Sequence, residues 1–98
     1  MASKPAARRG DKGVPHCSAF TIASGSSDVK INGKPAARDN DKSTLHKKPG
    51  SPCKPHTSKI KAKSRTVKIN GRPAARVGDP LSGCTKVAQG SGDVRIGG

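Results

Sequence analysis

The chain has 98 residues, of which 30% are apolar, 12 are Gly, 8 are Pro and Phe20 is the lone aromatic. A single domain over residues 1–98 is expected, with a core so thin that a staple must help it, whether disulfide, metal or partner. The net charge of +14, from 20 Lys and Arg against six acids that are all Asp, favours an anionic partner. Nucleic acid, anionic membrane and acidic protein all qualify. No apolar run approaches the roughly 18 residues that span a bilayer, and the first ten residues lack the apolar centre of a signal peptide. The expectation is a protein made in the cytoplasm that leaves it only when another machine exports it.

The chain opens with Lys4-Pro5-Ala6-Ala7-Arg8-Arg9-Gly10-Asp11. Pro5 fixes φ and the last three residues turn the chain. Arg9-Gly10-Asp11 also spells a cell-adhesion motif, but Asp41 and Asp79 occupy the matching place in later copies, which gives Asp11 a structural reason to exist. A Pro- and Gly-bearing loop follows through His16 and Cys17, then a short apolar stretch, Phe20-Thr21-Ile22, and a turn at Ser24-Gly25-Ser26-Ser27. Val29-Lys30-Ile31 alternates with period two and predicts a short strand, apolar inside and cation outside. Asn32-Gly33 predicts a tight hairpin turn, since both residues tolerate positive φ.

Lys34-Pro35-Ala36-Ala37-Arg38-Asp39-Asn40-Asp41 then repeats the opening motif. After His46 comes the longest connection, rich in Lys and Pro, where at most a single helical turn is expected between Pro49 and Lys63. The strand signal returns as Val67-Lys68-Ile69, with Asn70-Gly71 after it and Arg72-Pro73-Ala74-Ala75-Arg76-Val77-Gly78-Asp79 behind. Val94-Arg95-Ile96-Gly97-Gly98 closes the chain. The chain is thus a permuted triple repeat whose last copy is split between the two ends. Low hydrophobicity with high charge also marks disordered chains, but repetition at this spacing indicates order in space. The expected fold is all-β: three short hairpins about a pseudo-threefold axis, with Val and Ile facing that axis.

Aligning the copies on their Asp residues exposes a second regularity. His16 lies five residues after Asp11, His46 five after Asp41, and Cys84 five after Asp79. One rule therefore supplies three zinc-type ligands, which the symmetry would bring together. A structural zinc takes four, in a closed tetrahedron. The middle loop, from His46 to Val67, is longer than its counterparts from His16 to Val29 and from Cys84 to Val94, and it contains Pro52-Cys53-Lys54-Pro55-His56. The fourth ligand is expected from this loop, with His56 the candidate and Cys53 its competitor. Cys17, beside His16, would face the other way and is the spare. One structural zinc per chain is the expectation, released by chelator or acid because binding needs neutral imidazoles and a thiolate.

Three Pro-Ala-Ala-Arg motifs, at Pro5–Arg8, Pro35–Arg38 and Pro73–Arg76, each with an Asp three residues after the Arg, make the chain resemble the PAAR-repeat family over nearly its whole length. The resemblance implies a small conical domain of three β-hairpins with zinc near the apex, held here by His16, His46, His56 and Cys84. It also implies a role: a monomer capping the blunt end of a trimeric β-helical spike, either the VgrG protein of a type VI secretion system or the central spike of a phage tail. Such a tip is driven through a target envelope, piercing membrane, and serves as an attachment platform for effectors. Within the motif, Pro is expected to set the bend leaving the hairpin, and Arg8, Arg38 and Arg76 to pair with Asp11, Asp41 and Asp79.

Two other readings compete. The charge and the expected zinc suit a basic nucleic-acid-binding module, but the cations are spread along the chain, no recognition helix is visible, and Phe20 alone makes no stacking platform. A zinc hydrolase would need an open coordination position and a general base. Four ligands would close the site, and the chain has no Glu. No catalytic residues are assigned.

Overall fold

Asn32 and Asn70 adopt φ of 54°, and Gly33 and Gly71 follow at 77° and 76°, the conformation that lets a two-residue turn match the twist of its flanking strands. The computed structural model describes residues 3–15, 19–44, 46–47, 55–82 and 85–97, with the backbone alone for His46, Lys47 and Pro55. Strand β2 (Lys30–Ile31) pairs antiparallel with β3 (Lys34–Pro35) across the first of these turns, and β6 (Lys68–Ile69) with β7 (Arg72–Pro73) across the second. The third hairpin has no turn, because β1 (Lys4–Pro5) pairs with β8 (Arg95–Ile96) from the far end of the chain, in register Lys4↔Ile96 and Pro5↔Arg95. The split copy is closed by hydrogen bonds. The described residues contain strands and turns and no helix.

Each Pro of the motif lies within a strand, not at a bend leaving the hairpin. In the ladder the next residue donates instead: the N–H groups of Ala6, Ala36 and Ala74 reach the carbonyls of Val94, Val29 and Val67 at 2.9, 2.9 and 3.0 Å. Pro thus sits where its missing N–H would have faced away from the partner strand. Its carbonyl faces outward too, and accepts an N–H from a neighbouring copy: Arg9 to Pro35 at 2.8 Å, Asp39 to Pro73 at 2.8 Å and Val77 to Pro5 at 2.9 Å.

On the axis the second Ala of each motif closes a cycle. Ala7 N–H donates to Ala75, Ala75 to Ala37 and Ala37 back to Ala7, each at 3.0 Å. All six motif alanines are fully buried. Three chains converging at one point leave room for methyl groups and little more, which is why the motif is written in Ala. The paired alanines also divide the core. Ala6, Ala36 and Ala74 pack with Ile31, Ile69 and Ile96 on the hairpin side. Ala7, Ala37 and Ala75 pack with Phe20, Ile22, Ile60, Leu81 and Val87 on the other.

That second layer is walled by a closed ring of bridged segments. Lys12 bridges Thr21, Ile22 bridges Ser43, Lys42 bridges Lys59, Ile60 bridges Leu81, Pro80 bridges Lys86, and Val87 returns to Gly13. Among the described residues these bridges close on themselves, as the strands of a barrel do. Where the first copy would need a side chain, Gly13 leaves space that the Phe20 ring fills; a Cβ there would stand 2.0 Å from Phe20 Cζ.

One expectation needs correction. The Val-Lys-Ile strands do bury Ile, but Val29 and Val94 are exposed and Val67 is half-buried, because regular pairing begins one residue later, at the cation. The long basic connection also carries a pairing that the sequence does not predict: β4 (His46–Lys47) runs antiparallel to β5 (Pro55–His56).

Candidate functional site

Three loops leave the ring, each closed at its base by an equivalent bridge: Lys12↔Thr21, Lys42↔Lys59 and Pro80↔Lys86. Each metal-ligand candidate lies four residues beyond the outgoing bridge residue: His16 after Lys12, His46 after Lys42, Cys84 after Pro80. The backbone of the longest loop folds back so that His46 and His56 are direct register partners. His56 is half-buried. His16, Cys17, Cys53 and Cys84 lie outside the described residues, and no three His, Cys, Asp or Glu side chains gather as a metal cluster among the described ones. The donor types suit zinc, since imidazoles and a thiolate are its usual structural ligands. The register pairing of the His46 and His56 backbones is compatible with two such donors from one loop.

Beneath the loops, the Arg and Asp of each motif form a clamp. Asp11 accepts the backbone N–H of Arg8 at 2.8 Å, its Nε at 2.9 Å and its Nη2 at 2.9 Å. Arg38 makes the same three bonds to Asp41, at 2.7, 3.1 and 3.0 Å. The third clamp is looser: Arg76 N–H reaches Asp79 at 2.8 Å, but Nη2 stands 3.6 Å off, and Asp79 also takes the Lys63 N–H at 3.3 Å. The residue before each Asp, Gly10, Asn40 or Gly78, has φ between 68° and 91°, which tightens the turn that brings Asp under its Arg. Hydrogen bonding to Asp11 raises the Arg8 pKa further. With its carboxylate buried in this clamp, Asp11 cannot serve an adhesion receptor, so the Arg9-Gly10-Asp11 triplet is a structural turn.

A set of residues that the sequence reading passed over completes the site at the hairpin end. Ser26, Ser64 and Ser91 are buried, each three residues before the Val of a strand signal. Their hydroxyls accept the N–H of Val29, Val67 and Val94 at 2.9, 3.2 and 2.9 Å. Around Ser26, Asn70 Nδ2 donates to Asp28 at 2.7 Å and Arg38 Nη1 donates to Asn70 Oδ1 at 3.0 Å. Around Ser91, Asn32 Nδ2 donates to Asp93 at 2.8 Å and Arg8 Nη1 to Asn32 Oδ1 at 3.1 Å. The turn asparagines therefore tie one copy to the next. In the third place Thr66 and Gly97 replace the Asp and Asn, and Ser64 donates to the Gly97 carbonyl at 2.9 Å. The shared offset from Val was the signal available in the sequence.

Asn70 and Ser26 lower the pKa of Asp28, and Asn32 and Ser91 lower that of Asp93. A carboxylate whose folded pKa is depressed stabilises the fold above its unfolded value, and the contribution is lost as pH falls through the folded value. Thermal stability should therefore hold from neutral pH down to about 5 and decline below about 4. Replacing Asn70 or Asn32 by Ala should shrink that acid-side decline, measured as the melting temperature across pH.

A family model described as PAAR motif matches residues 1–44 and 50–98. No curated protein matches the chain.

Proposed function

Because the chain belongs to the PAAR-motif family, we propose that it is a spike-tip protein. One copy caps the blunt end of a trimeric β-helical spike, VgrG-like or the central spike of a contractile tail, sharpens it for envelope penetration and offers a platform for effectors. The observation that carries this reading is the Ala7–Ala75–Ala37 cycle, which makes one chain nearly threefold. A monomer with three near-equivalent hairpins can meet three identical subunits at once. The two-residue strands and the exposed Val29 and Val94 beside them suit continuation of a spike's strand ends.

In this reading His16, His46, His56 and Cys84 hold one structural zinc between the three loops, with Cys53 the competitor for the place of His56. The metal would join chain segments where there is too little volume for an apolar core, stiffening the end that takes the load. Untreated protein is expected to carry about one zinc per chain by elemental analysis, and His46→Ala or Cys84→Ala to lower that; under about a tenth of a zinc per chain ends the metal assignment. The role is mechanical, not catalytic: a closed shell leaves no position for activated water. The nucleic-acid alternative has less support, since Phe20 is buried in the core and offers no base a surface to stack on.

Co-purification with candidate trimeric β-helix proteins tests the cap. One chain per trimer is expected, with binding weakened by Val29→Asp and Val94→Asp. Failure to bind any such trimer, or a stoichiometry of three chains per trimer, would overturn it.

A further inference from the structure

The segment Ser58 to Arg65 reads Ser-Lys-Ile-Lys-Ala-Lys-Ser-Arg, and its burial alternates with its chemistry. Ser58, Ile60 and Ser64 are buried and Ala62 is half-buried, while Lys59, Lys61, Lys63 and Arg65 are exposed. Alternate residues of an extended chain stand about 6.6 Å apart, so Lys59, Lys61 and Lys63 form a row on the order of 13 Å long, with Arg65 at the bend that follows. The Lys42↔Lys59 bridge sets a fifth cation beside it. The carboxylates near this flank bind its backbone or other cations: Asp39 accepts the Ala62 N–H at 2.9 Å, Asp79 accepts the Lys63 N–H at 3.3 Å and pairs with Arg76, and Asp41 is held by Arg38 and Arg72. None of the five cations forms an ion pair among the described residues.

The internal repeat separates this charge from the needs of the fold. The places held by Lys61, Lys63 and Arg65 are filled in the corresponding segments by Ala23, Gly25 and Ser27, and by Ala88, Gly90 and Gly92. Two copies form their side of the ring with small neutral residues there. Lys61, Lys63 and Arg65 belong to one flank of one copy, whereas Lys42 and Lys59 have cationic counterparts in Lys12 and Lys86.

We propose that this row, with Arg65 and Lys42, is a docking surface for the phosphates of an anionic lipid bilayer. Duplex or single-stranded nucleic acid fits less well. No cavity opens among the described residues to track a strand, and the lone aromatic is in the core. A group of five cations with no apolar side chain to insert suits a flat charged surface, where each Lys or Arg contributes about 1 kcal/mol. The surface requires neither a spike nor a metal, so its test is separate from that of the cap.

The full chain should co-sediment with vesicles of phosphatidylcholine containing phosphatidylglycerol, and not with phosphatidylcholine alone, at an ionic strength of about 0.15 M. The triple variant Lys59→Gln, Lys61→Gln, Lys63→Gln should bind on the order of 100-fold more weakly. A control with the same net charge, Lys30→Gln, Lys68→Gln, Arg95→Gln, removes one exposed cation from each of three separate hairpins while leaving the row intact, and should lose less than about threefold. All six positions are exposed, and equal melting temperatures would verify that both variants fold. Equal loss in the two variants, no sedimentation of the wild type, or tighter binding to duplex DNA than to vesicles at equal phosphate and salt would each overturn the proposal.

Discussion

Replacing Asp11 by Ala is expected to cost about 3 to 5 kcal/mol, the usual result of removing one partner from a buried ion pair. Asp11 is fully buried, and its carboxylate takes three hydrogen bonds from Arg8 at 2.8 to 2.9 Å. Without it the buried guanidinium is left with Asn32 alone as an acceptor among the described residues. For a domain of this size each kcal/mol moves the midpoint by about 4 to 8 °C, so the melting temperature should drop by at least about 12 °C. The second half of the test is the pair: Arg8→Met with Asp11→Leu removes both charges and should recover part of the loss, because apolar groups can replace a buried pair at little cost while the Arg8 N–H still lacks its acceptor. If Asp11→Ala melted within a degree or two of wild type, the clamp would be dispensable.

Ala37→Leu is expected to destabilise by about 3 kcal/mol or more, at the upper end for overpacking. The methyl of Ala37 faces the layer built by Ile22, Ile60, Leu81 and Val87, while its N–H and C=O are both committed to the axial cycle with Ala7 and Ala75. The backbone cannot retreat without breaking those bonds, and three more carbon atoms have nowhere to go. Lys61→Leu adds the same side chain at an exposed position and should leave stability within about 0.5 kcal/mol. Denaturant unfolding of the two variants gives the comparison.

Much of this architecture was legible in the residues, and the reasons differ by element. The hairpins could be read because Asn32-Gly33 and Asn70-Gly71 admit few backbone conformations, and the joining of the ends because Val94-Arg95-Ile96 and Lys4-Pro5 are the two halves of one motif. The clamps followed from a charge pair at fixed spacing. The fate of Val29 and Val94 did not follow, since alternation gives a face only after pairing begins, and pairing here spans two residues. The β4–β5 hairpin was hidden because Lys and Pro are poor strand formers. The buried serines were overlooked because Ser looks like turn filler until its hydroxyl is seen accepting an N–H three residues on. Of the metal-ligand candidates, spacing placed three in equivalent loops, and the pairing of His46 with His56 came only from the backbone.

The axial cycle of Ala7, Ala37 and Ala75 also bears on how the molecule comes apart. Each copy satisfies its neighbour's amide and has its own satisfied by the third, so no copy keeps a complete set of bonds once another has gone. Local opening near the axis therefore has no stable intermediate to rest in, and loss of structure should be concerted across all three copies, in a single transition. The same interdependence means that assembly must wait for Arg95 and Ile96 to find Lys4 and Pro5, a contact between the most distant parts of the chain, so folding should be slow for so small a protein.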